Sequence, residues 1–171
     1  MADPGLDSLT LQQLIEAAQG FETENKPLKA IAIYQRIKEI TQNPETDLIL
    51  IKLYRKAGFL SEARLLMAER MKACEEPGID NDLLEKTCAC QLELDPKHLT
   101  ALRTLGEIYV RTNRKKELAT CVHKINAFTD ERIAASDYGT ALRCLQLLID
   151  LDRLNTDLQK KLNLVKTLLQ K

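Results

Sequence analysis

The sequence predicts an all-α fold in which antiparallel helix hairpins stack on one another. The first observation is a recurring triplet of an aromatic residue, a small or aliphatic residue nine positions later, and a large apolar residue four positions after that. The copies are Phe21, Ala30, Tyr34, then Tyr54, Ala63, Met67, and finally Tyr109, Leu118, Val122. Self-similarity at such a period is typical of stacked hairpins, each of which is too small to bury its own apolar face.

The second observation is that the first two copies agree at a fourth position. Pro44 and Pro77 follow them, so all four equivalent positions are displaced by 33 residues. The third observation is that period-2 alternation, the signature of strands, is almost absent, and that the six glycines lie mainly where helices are expected to end or turn. Together these features predict helices throughout.

The first predicted hairpin covers about residues 11–44. It follows a tail, residues 1–10, in which Ser8 or Asp7 is expected to cap the first helix. That helix ends near Glu24, and the second helix follows an Asn-Lys-Pro turn and ends before an Asn-Pro pair.

The second predicted hairpin, about residues 45–77, repeats this plan. A helix from about Glu45 to Lys56 is followed by a turn at Gly58 and a helix from Ser61 to Cys74. In such a stack, small residues allow helices to approach closely and aromatic residues fill the space between hairpins. The small positions are Ala18, Ala30, Ala63 and Gly106, and the aromatic ones are Phe21, Tyr54 and Tyr109.

The register breaks in the middle of the chain, where two interpretations remain open. Tyr109 follows Tyr54 by 55 positions, which leaves room for one additional helix at about 80–94. Alternatively, the helix after Gly58 is the first half of a degenerate repeat that opens at Leu65 and closes near Pro96.

The third hairpin, about residues 99–128, and the C-terminal helices, about 130–170, complete the predicted fold. One C-terminal helix carries apolar residues on a single face, namely Tyr138, Ala141, Leu145 and Leu148. The last helix, from about Asn155, carries a second such stripe, namely Leu158, Leu162, Val165 and Leu169. It also has Lys160, Lys161 and Lys166 on other faces, and so we expect it to cap the stack.

The string from Leu102 to Tyr109, with Gly106 inside it, resembles the signature of the tetratricopeptide repeat family, whose unit has about 34 residues. The first two units resemble it at Ala18, Phe21, Ala30 and Tyr34, and at Tyr54, Gly58 and Ala63. The sequence departs from the pattern at the first aromatic position, where it has Leu14, Asp47 and Leu102, and at Leu118. The resemblance covers about residues 11–128.

The length predicts a single domain over residues 11–171. The resemblance implies that its helix pairs form a right-handed superhelix, to which the residues add the irregular middle and the C-terminal capping helix. It also implies that the first helices of the pairs line a concave groove. Proteins of this family are adaptors, co-chaperones and assembly factors, and are rarely enzymes.

The residues expected to line that groove are found by projecting first-helix positions inward. They include Gln12, Gln19, Lys52, Arg55, Lys56, Arg103, Glu107 and Arg111, with Ile15, Glu22, Leu48 and Val110 beside them. Five of these residues are basic and one is acidic in the second and third units, which favours a partner with an acidic or C-terminal peptide. The competing interpretation is that these charges form an ordinary solvated helix surface.

Composition and motifs argue against other functions. The 25 positive and 25 negative side chains balance, so the basic footprint of a nucleic-acid-binding protein is missing. Cys88 and Cys90 are two apart and no second Cys or His pair follows, so no metal site is predicted. We also find no phosphate-binding loop, nucleotide fingerprint or nucleophile motif, and expect no cofactor and no catalysis.

The sequence therefore predicts a non-catalytic cytoplasmic module that binds another protein through a peptide or a helix in its concave groove. Five cysteines without regular spacing fit free thiols in a reducing compartment, and no segment is apolar enough to insert into a membrane. The alternative is a homo-oligomeric scaffold that pairs through its terminal helix, although a monomer is favoured. A catalytic helical bundle has no candidate site.

Overall fold

The computed structural model describes residues 9–76, 78–152 and 155–170, and over these residues the protein contains nine α-helices and no strand. The helices are α1 Leu11–Thr23, α2 Pro27–Thr41, α3 Pro44–Ala57, α4 Leu60–Ala73, α5 Asn81–Leu94, α6 Leu99–Arg111, α7 Lys115–Ala134, α8 Tyr138–Leu151 and α9 Thr156–Leu169. Short connections join helices that pack on each other, as in helix hairpins, from α1 to α4 and again from α6 to α9. The predicted all-α class is confirmed.

Four of the connections use the same turn, which we call the hairpin turn. Its first residue is Phe21, Tyr54, Tyr109 or Arg132, and its fifth residue has left-handed backbone, with φ between 55° and 84°. The sixth residue donates its backbone N–H to the carbonyl of the first, with N···O distances of 2.8–2.9 Å. The N–H of the fifth residue donates to the carbonyl of the second, at 3.0–3.2 Å. These two bonds define a Schellman motif, which ends one helix and starts the next at a fixed length.

The hairpin turn explains the nine-residue spacing of the sequence triplet. Its tenth residue, Ala30, Ala63, Leu118 or Ala141, donates its N–H to the carbonyl of the sixth residue and thereby begins the next helix. The fourth turn, from Arg132 to Ala141, escapes the sequence pattern because an arginine stands where the other three have an aromatic ring.

Two helix ends differ from those predicted. Thr10, rather than Ser8 or Asp7, caps α1: its N–H donates to Gln13 Oε1 at 2.9 Å, and its hydroxyl accepts from the Gln13 N–H at 3.4 Å. Ser8 and Asp7 lie outside the described residues. This reciprocal pair is a capping box, which satisfies two backbone donors at once.

Helix α7 continues six residues beyond its predicted end at Phe128. Thr129 does not break the helix, because its buried hydroxyl donates to the Ile125 carbonyl one turn earlier, at 2.7 Å. That bond satisfies the hydroxyl within the helix itself. The helix therefore ends at the hairpin turn that begins with Arg132.

The chain forms two compact units, one ending at Cys90 and the other beginning at Gln91. In the first unit, α1 packs on α2, α2 on α3, and α3 on α4. Its core contains aliphatic side chains from α1, α2, α3 and α4, among them Leu14, Ile33, Leu50, Ile51 and Met67. The division into repeat units and the treatment of the chain as one domain stay predictions.

In the second unit, α6 packs on α7, α7 on α8, α8 on α9, and α6 also meets α8. A Cβ atom built on Gly106 would lie 2.8 Å from both methyl carbons of Leu151, so glycine allows the close approach of α6 and α8. Helix α9 buries Leu158, Leu162 and Val165, as expected of a helix that covers the end of this unit. Leu169, predicted to be the fourth member of that stripe, is 55% exposed.

The repeated aromatic residues do not fill the core as predicted. Phe21, Tyr54 and Tyr109 are only half-buried, because they lie in the last turn of a helix, where the chain turns away. Ala18, Ala30 and Ala63 are fully buried, so the small positions carry the close packing. Aliphatic side chains form the core between them.

Candidate functional site

The predicted groove residues of the first unit lie on α1 and α3. Gln12 and Gln19 are exposed on α1, where the Gln12 side chain donates to Glu16 at 2.8 Å. Lys52 and Lys56 are exposed on α3, and no described residue forms an ion pair with either. We call Lys52 and Lys56 the lysine face. Arg55 between them is half-buried.

Leu48 was predicted to line the same groove, and this prediction is wrong. Its side chain is 6% exposed, because it belongs to the packed side of α3. Glu22 is half-buried and accepts a hydrogen bond from the Tyr34 hydroxyl at 2.6 Å, which ties α1 to α2. Burial, with this bond to the Glu22 carboxylate, raises the pKa of Tyr34.

The predicted groove residues of the second unit lie along the exposed side of α6. Arg103, Glu107 and Arg111 are exposed there, opposite buried Leu102 and Leu105. Arg103 Nε donates to Glu107 Oε1 at 2.8 Å, and the hydrogen bond and charge of Glu107 raise the pKa of Arg103. This i,i+4 pair neutralises much of the positive charge expected on α6. The residues of α3 and α6 were predicted to share one concave side. Because α3 belongs to the first unit and α6 to the second, this stays a prediction.

The first unit contains a cleft of about 740 Å³ that the sequence did not predict. It lies between α2 and α4, with α3 contributing side chains from between them, and we call it the α2–α4 cleft. Its lining comprises Gln35, Lys38, Glu39 and Gln42 from α2 and its end, Asp47, Leu50 and Tyr54 from α3, and Glu62, Leu65, Leu66 and Glu69 from α4.

Polar contacts hold the three helices together around this cleft. Asp47 of α3 pairs with Lys38 of α2 at 2.8 Å and lies 4.0 Å from Arg70 of α4. Gln35 of α2 donates its side-chain N–H to the Tyr54 hydroxyl at 2.8 Å. These contacts join α3 to both of its neighbours and fix the positions of the lining side chains.

The side of α4 that lines the cleft alternates charge with apolar surface. Glu62 and Glu69 are exposed, and neither pairs with any residue that the structure describes. Between them, Leu65 is 66% exposed and Leu66 is buried. This side of α4 therefore has an apolar centre, at Leu65, which water solvates poorly. Its two ends, at Glu62 and Glu69, carry carboxylates that water solvates well.

Sequence reasoning missed this cleft because its lining comes from three separate segments. One signal was present in the sequence: Glu62, Leu65, Leu66 and Glu69 recur at i, i+3, i+4 and i+7, the spacing of one helix face. A face that mixes leucines with acids in this way fits neither a core nor an ordinary solvated surface.

The thiols and other candidate ligands offer little chemistry. Cys88, Cys90, Cys121 and Cys144 are buried, and Cys74 is half-buried. Burial raises the pKa of the Cys121 and Cys144 thiols, which lowers their thiolate content. Over residues 9–76, 78–152 and 155–170, no three His, Cys, Asp or Glu side chains cluster as a metal site would require. Within the same ranges, no helix has the length and apolarity to span a membrane.

The architecture is that of an all-α protein built from helix hairpins with a repeated turn. No protein-family model matches the sequence. No curated protein matches it either. Among solved structures, the chain is similar to a tetratricopeptide repeat protein from Parabacteroides merdae, with 15% identity and a TM-score of 0.41 over 94% of this chain and 74% of the other. The fold assignment rests on the helices and turns described above.

Proposed function

We propose that this chain is a non-catalytic protein-protein interaction module of the tetratricopeptide type, which acts as an adaptor, co-chaperone or assembly factor. Its partner contributes an acidic or C-terminal peptide that lies along the exposed side of the first helices. The second helices, α2, α4 and α7, support those surfaces. We infer a cytoplasmic location from the five cysteines, which are all free thiols and so fit a reducing compartment.

The lysine face is the observation that carries this proposal. Lys52 and Lys56 are one turn apart on α3, both exposed and both without an ion pair among the described residues. Two such ammonium groups attract a carboxylate-rich peptide and speed its capture, because their field reaches about 8 Å into physiological salt. Gln12 and Gln19 of α1 offer amide groups that can hydrogen-bond to an extended peptide backbone.

The test is binding of a labelled acidic peptide with a free C-terminal carboxylate, measured by fluorescence anisotropy at low salt. Reversing the lysine face with Lys52→Glu and Lys56→Glu should weaken binding by about tenfold, since each exposed ion pair contributes up to about 1 kcal/mol. Stability should change little, because neither lysine is buried or paired.

The matched control reverses two other exposed lysines, Lys115 and Lys116 at the start of α7, and makes the same change in net charge. This control should bind the acidic peptide like the parent. If both variants lose the same affinity, the effect is net charge and the lysine face is not the binding surface. Equal binding by the parent and the lysine-face variant would contradict the proposal as well.

A second candidate, the homo-oligomeric scaffold, is favoured by one observation on α9. Leu164 and Leu169 are 62% and 55% exposed, whereas Leu158, Leu162 and Val165 of the same helix are buried. A second copy could cover these leucines. A concentration-dependent dimer that disperses on Leu164→Glu, with the fold retained, would favour this candidate over the first.

A further inference from the structure

The α2–α4 cleft has the features of a groove that receives a helix. We propose that it binds an amphipathic helix of a partner protein, whose inward stripe has basic, apolar, apolar and basic residues at positions i, i+3, i+4 and i+7. This site is separate from the lysine face and goes beyond the proposed function. It lies largely on the second helices α2 and α4 and binds a basic partner, whereas the lysine face binds an acidic one.

The apolar part of the cleft provides the contact area. Leu65 is 66% exposed on one wall, and the half-buried ring of Tyr54 and buried Leu50 and Leu66 complete the lining. The partly exposed ring of Phe59 meets Tyr54 edge to face at a centroid distance of 6.5 Å, which extends the apolar surface at one end. Two apolar side chains of the partner cover this surface and remove it from water. Burial of apolar surface stabilises the complex by about 25 cal/mol per Å².

The charges of the cleft determine the sign of the partner. Four carboxylates line it, those of Glu39, Asp47, Glu62 and Glu69, against one ammonium group, that of Lys38. Glu39 pairs with Arg36, and Asp47 pairs with Lys38. Glu62 and Glu69 are therefore the two lining carboxylates without a counterion among the described residues. Basic side chains of a partner complement them.

The spacing of the lining determines the form of the partner. The end residues of each wall, Gln35 and Gln42, Asp47 and Tyr54, and Glu62 and Glu69, are seven positions apart, so each wall is about two helical turns, or about 10 Å, long. A partner helix laid along α4 repeats that distance between its positions i and i+7. Its two basic residues then reach Glu62 and Glu69 while its apolar pair meets Leu65 and Tyr54.

The probe for this proposal is a fluorescein-labelled helical peptide of about four turns. It carries Lys at i and i+7 and Leu at i+3 and i+4 of one face, with Ala and Gln elsewhere. A scrambled peptide of identical composition, in which the Lys and Leu residues no longer share a face, is the matched control probe. Binding is measured by anisotropy at low and high salt, and light scattering measures self-association of the protein.

We expect the patterned probe to bind at least tenfold more tightly than the scrambled probe. Glu62→Gln with Glu69→Gln should weaken its binding by about five- to tenfold at low salt and less at high salt. Glu75→Gln with Glu76→Gln, an equal charge change outside the cleft, should leave it unchanged. Leu65→Ala should weaken binding, whereas Leu28→Ala, which alters a leucine of similar exposure on α2 outside the lining, should not.

Several outcomes would overturn the proposal. These are no binding by the parent, equal binding of both probes, equal loss in the Glu75 and Glu76 control, or equal loss in the Leu28 and Leu65 variants. Self-association that disappears on Glu62→Gln with Glu69→Gln would assign the cleft to a second copy of the chain. Each result is independent of the acidic-peptide test, which uses the lysine face.

Discussion

Tyr54 in the first unit and Tyr109 in the second begin the same hairpin turn, yet their rings have different surroundings. The Tyr109 ring is covered by the Arg114 guanidinium, 4.3 Å from its centroid. The Tyr54 ring meets the edge of Phe59 and borders the α2–α4 cleft, where its hydroxyl accepts a hydrogen bond from Gln35. The same backbone turn therefore produces a closed surface in one unit and an open one in the other.

The difference arises at the sixth position of the turn. Arg114 and Phe59 both occupy it and make the same backbone hydrogen bond, but only the arginine can cover a ring with a cation and still be solvated. Phenylalanine leaves apolar surface exposed instead. The repeated turn thus fixes the hairpin, and the side chain at its sixth position determines whether the ring of the first residue is covered by a cation or meets another exposed apolar ring.

The largest expected effect of a substitution lies at the tenth position of the turn, where the units also differ. Ala63 is fully buried in the first unit, whereas Leu118 is half-buried in the second. Ala63→Leu should lower the free energy of unfolding by about 2–3 kcal/mol, because added methyl groups must displace packed neighbours. Leu118→Ala should cost only about 1 kcal/mol, since part of its area is already exposed. Chemical denaturation of both variants measures the difference.

Equal costs for Ala63→Leu and Leu118→Ala would contradict this distinction between the units. In that case the first unit would have room at its tenth position, and the close packing inferred from the buried alanine would be wrong.

A smaller effect is expected at the fifth position, where the backbone is left-handed. Gly58 has φ 84° and no atom within 4 Å of an added Cβ, so Gly58→Ala should cost about 1 kcal/mol from backbone strain alone. Ser136 in the second unit has φ 59°, and Ser136→Gly should stabilise by about 0.5–1 kcal/mol for the same reason. Chemical denaturation again provides the measurement.

Gly20→Ala is the matched control for the glycine substitution. Gly20 lies inside α1, also with no atom within 4 Å of an added Cβ, so alanine there should stabilise by about 0.5–1 kcal/mol. A stabilising Gly58→Ala would mean that the turn does not depend on its left-handed residue.

Much of the fold was predictable because local signals agree with it. Apolar residues recur with helical period, and the turns contain Gly, Asn and Pro where the backbone requires them. The end of α7 was not predictable, because Thr129 looks like the end of a helix until its hydroxyl is seen to bond within it. The fourth hairpin turn, which begins with Arg132, was not predictable from the aromatic pattern. Its backbone conformation repeats that of the other three turns, but its first residue is not aromatic.

The candidate sites were predictable only where they depend on one helix. Periodicity correctly indicated that Lys52 and Lys56 are exposed, and it was wrong for Leu48, which lies near the border between the buried and exposed faces of α3. The pairing of Arg103 with Glu107 follows from their i,i+4 spacing on one helix. The α2–α4 cleft depends on three helices meeting, which no single segment encodes.

The most direct test of the account is a crossed binding experiment, in which the acidic peptide and the patterned basic helix are titrated against two charge variants. One variant carries Lys52→Glu with Lys56→Glu, and the other carries Glu62→Lys with Glu69→Lys. If the chain is an interaction module with two surfaces of opposite charge, each variant should lose about tenfold in affinity for its own probe and keep the parent affinity for the other. Loss of both probes in either variant, or of neither probe in both, would contradict the account.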